Sequence, residues 1–402
     1  MSRPAAESVS TGRRWWMLAV GVLAQAAASV TINGPAFLIP ALRADRGLSL
    51  VQASIVAAAP IAGVMLTLVA WGYLVDRAGE RIVLLCGLAG TAATGFVATR
   101  VHDVVPLGVV LVVAGGFAAS TASASGRLVV GWFPAERRGL AMGIRQMAQP
   151  VGVGIAAVSI AVLAEAHGIG TALLMLAGAA LLAAVAVAAV VIDPPRPQRT
   201  AVATPSPYRT DFLWRIHGVS ILLVIPQFAV WTFGLVWLVD RHGWDPGPAG
   251  VLVALSQVAG ALGRIAVGQL SDMVGSRTRP LLWVACAAGV CMALLGLTDA
   301  LDWSVAVVLL VVATTVTVAD NGLAFTAVAE YAGPFWSGRA LGLQNTGQYL
   351  TAAACAPVVG GAIAAWGYPA GFAVTALGPL VAIPLVPRGG QERPAVVAPE
   401  TL

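Results

Sequence analysis

The chain has 402 residues, of which 58% are apolar and only 10% charged, and its formal net charge is +5. Ordinary globular domains run at roughly 45–50% apolar and about 25% charged. The composition therefore excludes a soluble globular protein, and a positive charge set between long apolar runs is not read as a nucleic-acid-binding surface.

Taken in chain order, apolar runs long enough to cross the roughly 30 Å hydrocarbon core as helices recur twelve times. In the first half they lie near 15–40, 50–74, 82–99, 105–131, 140–164 and 169–192. In the second they lie near 216–238, 248–270, 280–298, 304–326, 340–365 and 370–387. None shows the polar alternation of barrel strands. The expected fold is an all-α polytopic membrane protein. Its parts are a tail over 1–14, a six-helix bundle over 15–192, a Pro- and Arg-rich linker over 193–215, a second six-helix bundle over 216–387 and a tail over 388–402. The run opening at Trp15 is read as the first span, because no cleavage site followed by soluble sequence accompanies it.

Arginine sets the orientation. There is no Lys, and all 23 basic residues are Arg. With the N-terminus inside, the inner loops and tails hold sixteen arginines, and the outer loops hold only Arg43, Arg46, Arg100 and Arg241. By the positive-inside rule both termini and the linker are cytoplasmic, in the plasma (inner) membrane. Tryptophans such as Trp15, Trp71, Trp132, Trp237 and Trp366 fall at span ends, where an amphipathic ring prefers the interface.

The two halves repeat one another. Gly72-Tyr73-Leu74-Val75-Asp76-Arg77-Ala78-Gly79-Glu80-Arg81 recurs as Gly268-Gln269-Leu270-Ser271-Asp272-Met273-Val274-Gly275-Ser276-Arg277, 196 positions later. The segment from Arg138 to Gln149 aligns without gaps on Ser337 to Gln348, 199 positions later. Repeats at half-length in a membrane protein are the plan of a secondary transporter.

The pattern Gly-x-Leu-x-Asp-Arg-x-Gly-x-Arg between the second and third spans resembles the signature loop of the major facilitator superfamily, and with twelve spans the resemblance covers nearly the whole chain. It implies two six-helix bundles related by a pseudo-two-fold axis, rocking about a central site. It also implies that Gly72, Asp76, Arg77, Gly79, Arg81, Gly268, Asp272 and Gly275 form a cytoplasmic gate that holds one state and breaks in the other. Asp76 is suited to capping a nearby helix N-terminus. Glu80 and Met273 depart from the pattern, each standing where the family has a basic residue, and Met273 weakens the expected latch of the second half most.

Charged groups inside spans are costly and are candidates for function. Arg127, Arg145, Arg264 and Asp320 qualify. Arg127 is read as a gate residue, a partner for Asp76 or Glu136, and Glu330 as another gate residue. Arg264, eight residues before Asp272, resembles the substrate-binding arginine of facilitators for small anions. Arg145, Arg264, Gln146, Gln149, Gln257, Asn33, Gln227, Gln344 and Gln348 are the candidate substrate-binding set. Asp320 is either a proton carrier or the neutralising partner of an arginine.

These residues point to a secondary active carrier of a small organic anion, working by alternating access with protons as the candidate coupling ion. Proton-antiport efflux of drugs or metabolites is the competing reading. Against it, the first span lacks an acid and the fifth only echoes the exporters' glycine pattern, in Gln149 to Gly154. No nucleophile–base pair, metal cluster or phosphate loop suggests an enzyme, and no metal or cofactor is expected. Cys86, Cys286, Cys291 and Cys355 are read as small core residues. The expected partners are a small-molecule substrate and the bilayer, with the chain acting as a monomer and without nucleic acid.

Overall fold

In the computed structural model residues 9–195 and 205–388 are described, so most of both predicted tails and the linker stretch 196–204 lie outside the description. Every regular element among the described residues is a helix. The helices are α1 (Thr11–Asn33), α2 (Ile39–Arg46), α3 (Leu50–Ala78), α4 (Glu80–Ala98), α5 (Val104–Ala118), α6 (Ser120–Trp132), α7 (Ala135–Gln146) and α8 (Ala148–Val190). They continue with α9 (Phe212–Asp240), α10 (Pro246–Val274), α11 (Thr278–Ala300), α12 (Val305–Val316), α13 (Asp320–Ala332), α14 (Ser337–Thr375) and α15 (Leu377–Leu385).

Ten helical runs among the described residues are long and apolar enough to cross a membrane. Two of them, Ala135–Val190 with 56 residues and Ser337–Leu385 with 49, are too long for one crossing at 1.5 Å per residue. Each is broken at a glycine that only its lack of a Cβ allows, Gly168 at φ 81° and Gly367 at φ 82°. Counting each as two gives the twelve expected spans. The breaks lie 199 positions apart, the same offset as the sequence repeat of the fifth and eleventh spans.

Several predicted spans divide into separate helices, among them the fourth and the tenth. The fourth is split between α5 and α6, and the tenth between α12 and α13. Ser120-Thr121 and Asp320-Asn321 open the second pieces, and Thr121 Oγ1 donates to the Ala118 carbonyl (3.0 Å) beside the first break. Near the middle of a span this frees backbone groups, and buried side chains take them up.

The chain folds as two compact units. One contains Met1–Phe133, Ile144–Thr204 and Gly333–Thr346; the other contains Pro134–Gly143, Pro205–Ala332 and Gly347–Leu402. In the first, Val30, Leu107, Leu111, Ile160, Leu173 and Leu176 pack α1, α5 and α8 together. In the second, Val230, Trp237, Met292, Leu295, Leu310 and Phe372 do the same for α9, α11, α12 and α14. Large apolar side chains such as Leu66, Val158, Val258 and Leu350 stay exposed, as a lipid-facing surface requires.

Candidate functional site

Each unit holds one carboxylate at the end of a long helix, ringed by donors. In the first unit this is Asp76, near the end of α3. Its Oδ1 accepts from Arg127 Nη1 (2.5 Å) and from the N–H of Gly338 (2.8 Å), while its Oδ2 accepts from the N–H and the Nε of Arg339 (both 3.0 Å). Gly338 and Arg339 lie in the first turn of α14, whose leading N–H groups have no intrahelical acceptor. Asp76 thus caps a helix start, as the sequence suggested.

The second unit repeats the device. Asp272, near the end of α10, accepts from the N–H groups of Gly139 (2.9 Å) and Leu140 (2.8 Å) of α7 and from Arg277 Nη1 (2.6 Å). Glycines allow these approaches. A Cβ on Gly72 would stand 2.3 Å from the Gly338 carbonyl oxygen, and one on Gly268 would stand 2.2 Å from that of Gly139.

Of the two departures from the family pattern, Glu80 finds a physical role here and Met273 does not. Glu80, in place of a basic residue, is buried at the start of α4 with Oε1 3.0 Å from Arg127 Nε, so the α6 guanidinium meets two carboxylates. Of the two partners expected for Arg127, Asp76 or Glu136, it meets Asp76, and Glu80 is its second carboxylate. Met273 is 78% exposed and takes no part in the second latch. Arg277 supplies its cation instead, and Asp272 receives three hydrogen bonds. Arg277 also bonds Glu330 on α13 and the Ala135 carbonyl, and Arg138 reaches Glu330 as well. Burial works against the Arg277 cation, but Glu330 and Asp272 outweigh it and hold the guanidinium above its ordinary range.

The remaining gate candidates act on the first unit's α3–α4 turn. Gly79 turns the chain at φ 107°, and its Cα lies against the Asp193 carboxylate. Asp193 Oδ1 accepts from the N–H of Arg81 (2.7 Å), while the Arg81 side chain bonds the Ala188 carbonyl. Arg77 lies over the Tyr73 ring. Gly275, at φ 65°, ends α10.

Deeper in the first unit, Arg145 is 2% exposed and donates to Ser125 Oγ (3.0 Å), the Ala122 carbonyl (2.7 Å), Gln146 Oε1 (2.6 Å) and Gln25 Oε1 (3.4 Å). All four acceptors are neutral. Beside it, Asn33 bonds Ser29, and Ser29 bonds the Gln149 carbonyl. Gln25 and Ser125 are members the sequence reading missed. A second amide in the first span, two turns before Asn33, was the available signal for Gln25. Gln344 is buried in the first unit's share of α14.

In the second unit Arg264 and Asp320 are both buried at the break between α12 and α13. Arg264 Nε donates to the Val318 carbonyl (3.2 Å), a group the broken helix leaves available, and its charge acts on Asp320. The backbone N–H groups of Asp320 and Asn321 lie against the Asp320 carboxylate, at the favourable end of the α13 dipole. Neither carboxylate oxygen reaches full hydrogen-bond geometry. One residue on, an amide chain runs from Gln227 through Asn321 to Gln348 and Ser220, at 3.0, 2.7 and 2.7 Å. Gln257 is half-buried two turns before Arg264 on the same face of α10 and joins no hydrogen bond among the described residues.

Residues 19–354 match a family model described as Major Facilitator Superfamily. An uncharacterized MFS-type transporter of Mycobacterium tuberculosis strain H37Rv, Rv2994, is 47% identical over 385 residues, covering 95% of this chain and 86% of that protein. The chain belongs to the Major Facilitator Superfamily. Among solved MFS structures, a single-residue variant of the Escherichia coli fucose:proton symporter FucP superposes with a TM-score of 0.73 at 16% identity, covering 92% of this chain and 97% of that one. The proton:xylose symporter XylE bound to 6-bromo-6-deoxy-D-glucose gives 0.74 at 13% identity, covering 93% and 95%. At these identities the likeness is one of fold. The protein is thus a multi-pass MFS transporter of a small-molecule substrate.

Proposed function

We propose that this MFS protein carries a small organic anion across the inner membrane by alternating access, with its termini on the cytoplasmic side. One observation carries the reading: two guanidinium groups, those of Arg145 and Arg264, are buried inside the spans. Burying a cation costs several kcal/mol unless strong partners repay it. A substrate carboxylate is such a partner, since it takes the planar fork bidentately, and more strongly in a dry setting.

Arg264 and Asp320 supply the coupling. Arg264 faces either its neighbour Asp320 or an incoming anion, and an anion that draws the guanidinium away leaves a buried carboxylate for which taking up a proton is the cheapest outcome. Anion and proton then move together. The buried Asp320 also favours a second reading, proton-antiport efflux of a drug or metabolite.

Thermal stabilisation of the purified protein separates the two, because a ligand bound only to the folded state raises its melting temperature by mass action. The expected result is stabilisation by a member of a carboxylate panel that disappears in Arg145→Gln and in Arg264→Ala. Stabilisation by lipophilic cations that survives both substitutions would overturn the anion reading and leave the efflux one standing.

A further inference from the structure

The Asp76 latch contains a part that its counterpart in the second unit lacks. The Arg339 guanidinium carbon stands 3.6 Å from the centroid of the Trp336 ring and 5.7 Å from that of Tyr73. Tyr73 has a second cationic neighbour in Arg77, whose guanidinium carbon lies 4.4 Å from the ring centroid. Tyr73 therefore meets two guanidinium groups, and Arg339 meets two rings. From that position Arg339 Nε reaches Asp76, while Nη2 bonds the Phe335 carbonyl at 2.6 Å.

The sequence repeat shows that this arrangement is not a by-product of the fold. The positions equivalent to Tyr73, Trp336 and Arg339 in the other half are Gln269, Arg137 and Leu140. No aromatic ring stands at any of them, and there the latch cation is Arg277, only five residues from Asp272. Arg339 instead comes from a helix 263 positions along the chain from its carboxylate. Its side chain is 24% exposed. A partly solvated ion pair on a long flexible side chain contributes little by itself. Stacking a guanidinium on aromatic faces contributes an amount of the same size and removes the freedom of the side chain to swing away.

We propose that Tyr73 and Trp336 are positioning residues of the first-unit latch, an aromatic clamp that fixes Arg339 on Asp76 and so sets how often the start of α14 comes free. The clamp predicts that latch opening depends on ring faces, not on the tyrosine hydroxyl. It requires no assumption about the substrate.

Hydrogen exchange read by mass spectrometry on the purified full-length protein tests this directly. The N–H groups of Gly338 and Arg339 lie in the first turn of α14 and have no intrahelical acceptor, so their protection comes from Asp76. Tyr73→Leu is expected to speed exchange in the peptide over residues 337–343 by roughly two- to fivefold, the range of one partly exposed cation–π contact. Tyr73→Phe keeps the face and is expected to exchange like the parent. Asp76→Asn serves as the reference for an open latch. Should Tyr73→Leu loosen the whole protein, seen as faster exchange over residues 84–98 as well, Trp336→Leu against Trp336→Phe carries the same expectation. Unchanged exchange in the leucine variants, with Asp76→Asn fast, overturns the clamp. Equal acceleration in Tyr73→Leu and Tyr73→Phe overturns it too, by assigning the effect to the hydroxyl. Slow exchange in Asp76→Asn would instead reject the latch as the source of protection.

Discussion

Glu80 Oε1 stands 3.0 Å from Arg127 Nε, and both side chains are almost wholly buried. The pair makes Arg127 a cation shared by two acids, Glu80 and Asp76, in a cluster where Asp76 also meets Arg339. Removing one member of a buried cluster strands the charges that remain, at a cost of about 3–5 kcal/mol. Arg127→Ala is therefore expected to destabilise the protein severely, and Arg127→Ala combined with Glu80→Gln to recover part of the loss. Melting temperatures of the three proteins check this. A double variant no better than the single one would mean the two side chains are not coupled.

The second latch draws its cation from Arg277, so the two basic-residue positions of the motif should separate cleanly. Arg277→Ala is expected to cost about 2–4 kcal/mol, because it leaves Asp272 and Glu330 facing each other without their shared partner. Met273→Arg restores the family pattern but at an exposed position, and is expected to lie within about 0.5 kcal/mol of the parent. A strong stabilisation by Met273→Arg would show that the latch was incomplete after all.

Helix approach at the latches rests on glycine. Gly72→Ala and Gly268→Ala would drive a methyl group into the backbone of Gly338 and Gly139, an overpacking worth roughly 1–3 kcal/mol where nothing can yield. Gly154→Ala on α8, which meets nothing within 4 Å, is the control and is expected to be neutral or slightly stabilising. Thermal unfolding of the three variants decides the matter, and equal behaviour would rule out close packing as the role of these glycines.

Asn321 joins Gln227 to Gln348, so its removal leaves two amides short of a partner. Asn321→Leu is expected to lower stability by about 1–3 kcal/mol, and Gln348→Leu, which also breaks two bonds of the chain, by a similar amount. If Asn321→Leu were neutral in stability yet abolished stabilisation by ligand, the amide chain would be a binding surface and not a structural link.

Much of the site was legible because membrane chemistry makes polar residues conspicuous. An arginine, an acid or an amide in an apolar run has few uses, and Arg145, Arg264, Asp320, Asn33 and Gln227 all stood out on that ground. Asp76 was legible as a helix cap because aspartate beside a turn has that chemistry. Arg339 and Arg277 were not. Both lie at helix starts, where an arginine reads equally well as an inside-loop charge, and nothing in their neighbours names the carboxylate each one meets. Glu80 looked like a defect for the same reason, since the cation that justifies it lies 47 positions further on, at Arg127.

The chain by itself determined the number of crossings, the two-fold repeat and the presence of the turn motif. These follow from apolar length, glycine and charge, which act locally or within one span. Only the tertiary structure decided which charge meets which. It put Arg127 on two acids, gave Asp272 its cation from Arg277, and set Arg264 beside Asp320 where the tenth span breaks. Such pairings depend on where side chains meet in space, for Arg127 and Arg264 between helices far apart in sequence, and in a low-dielectric interior a shift of a few ångströms decides whether a buried charge is compensated or stranded.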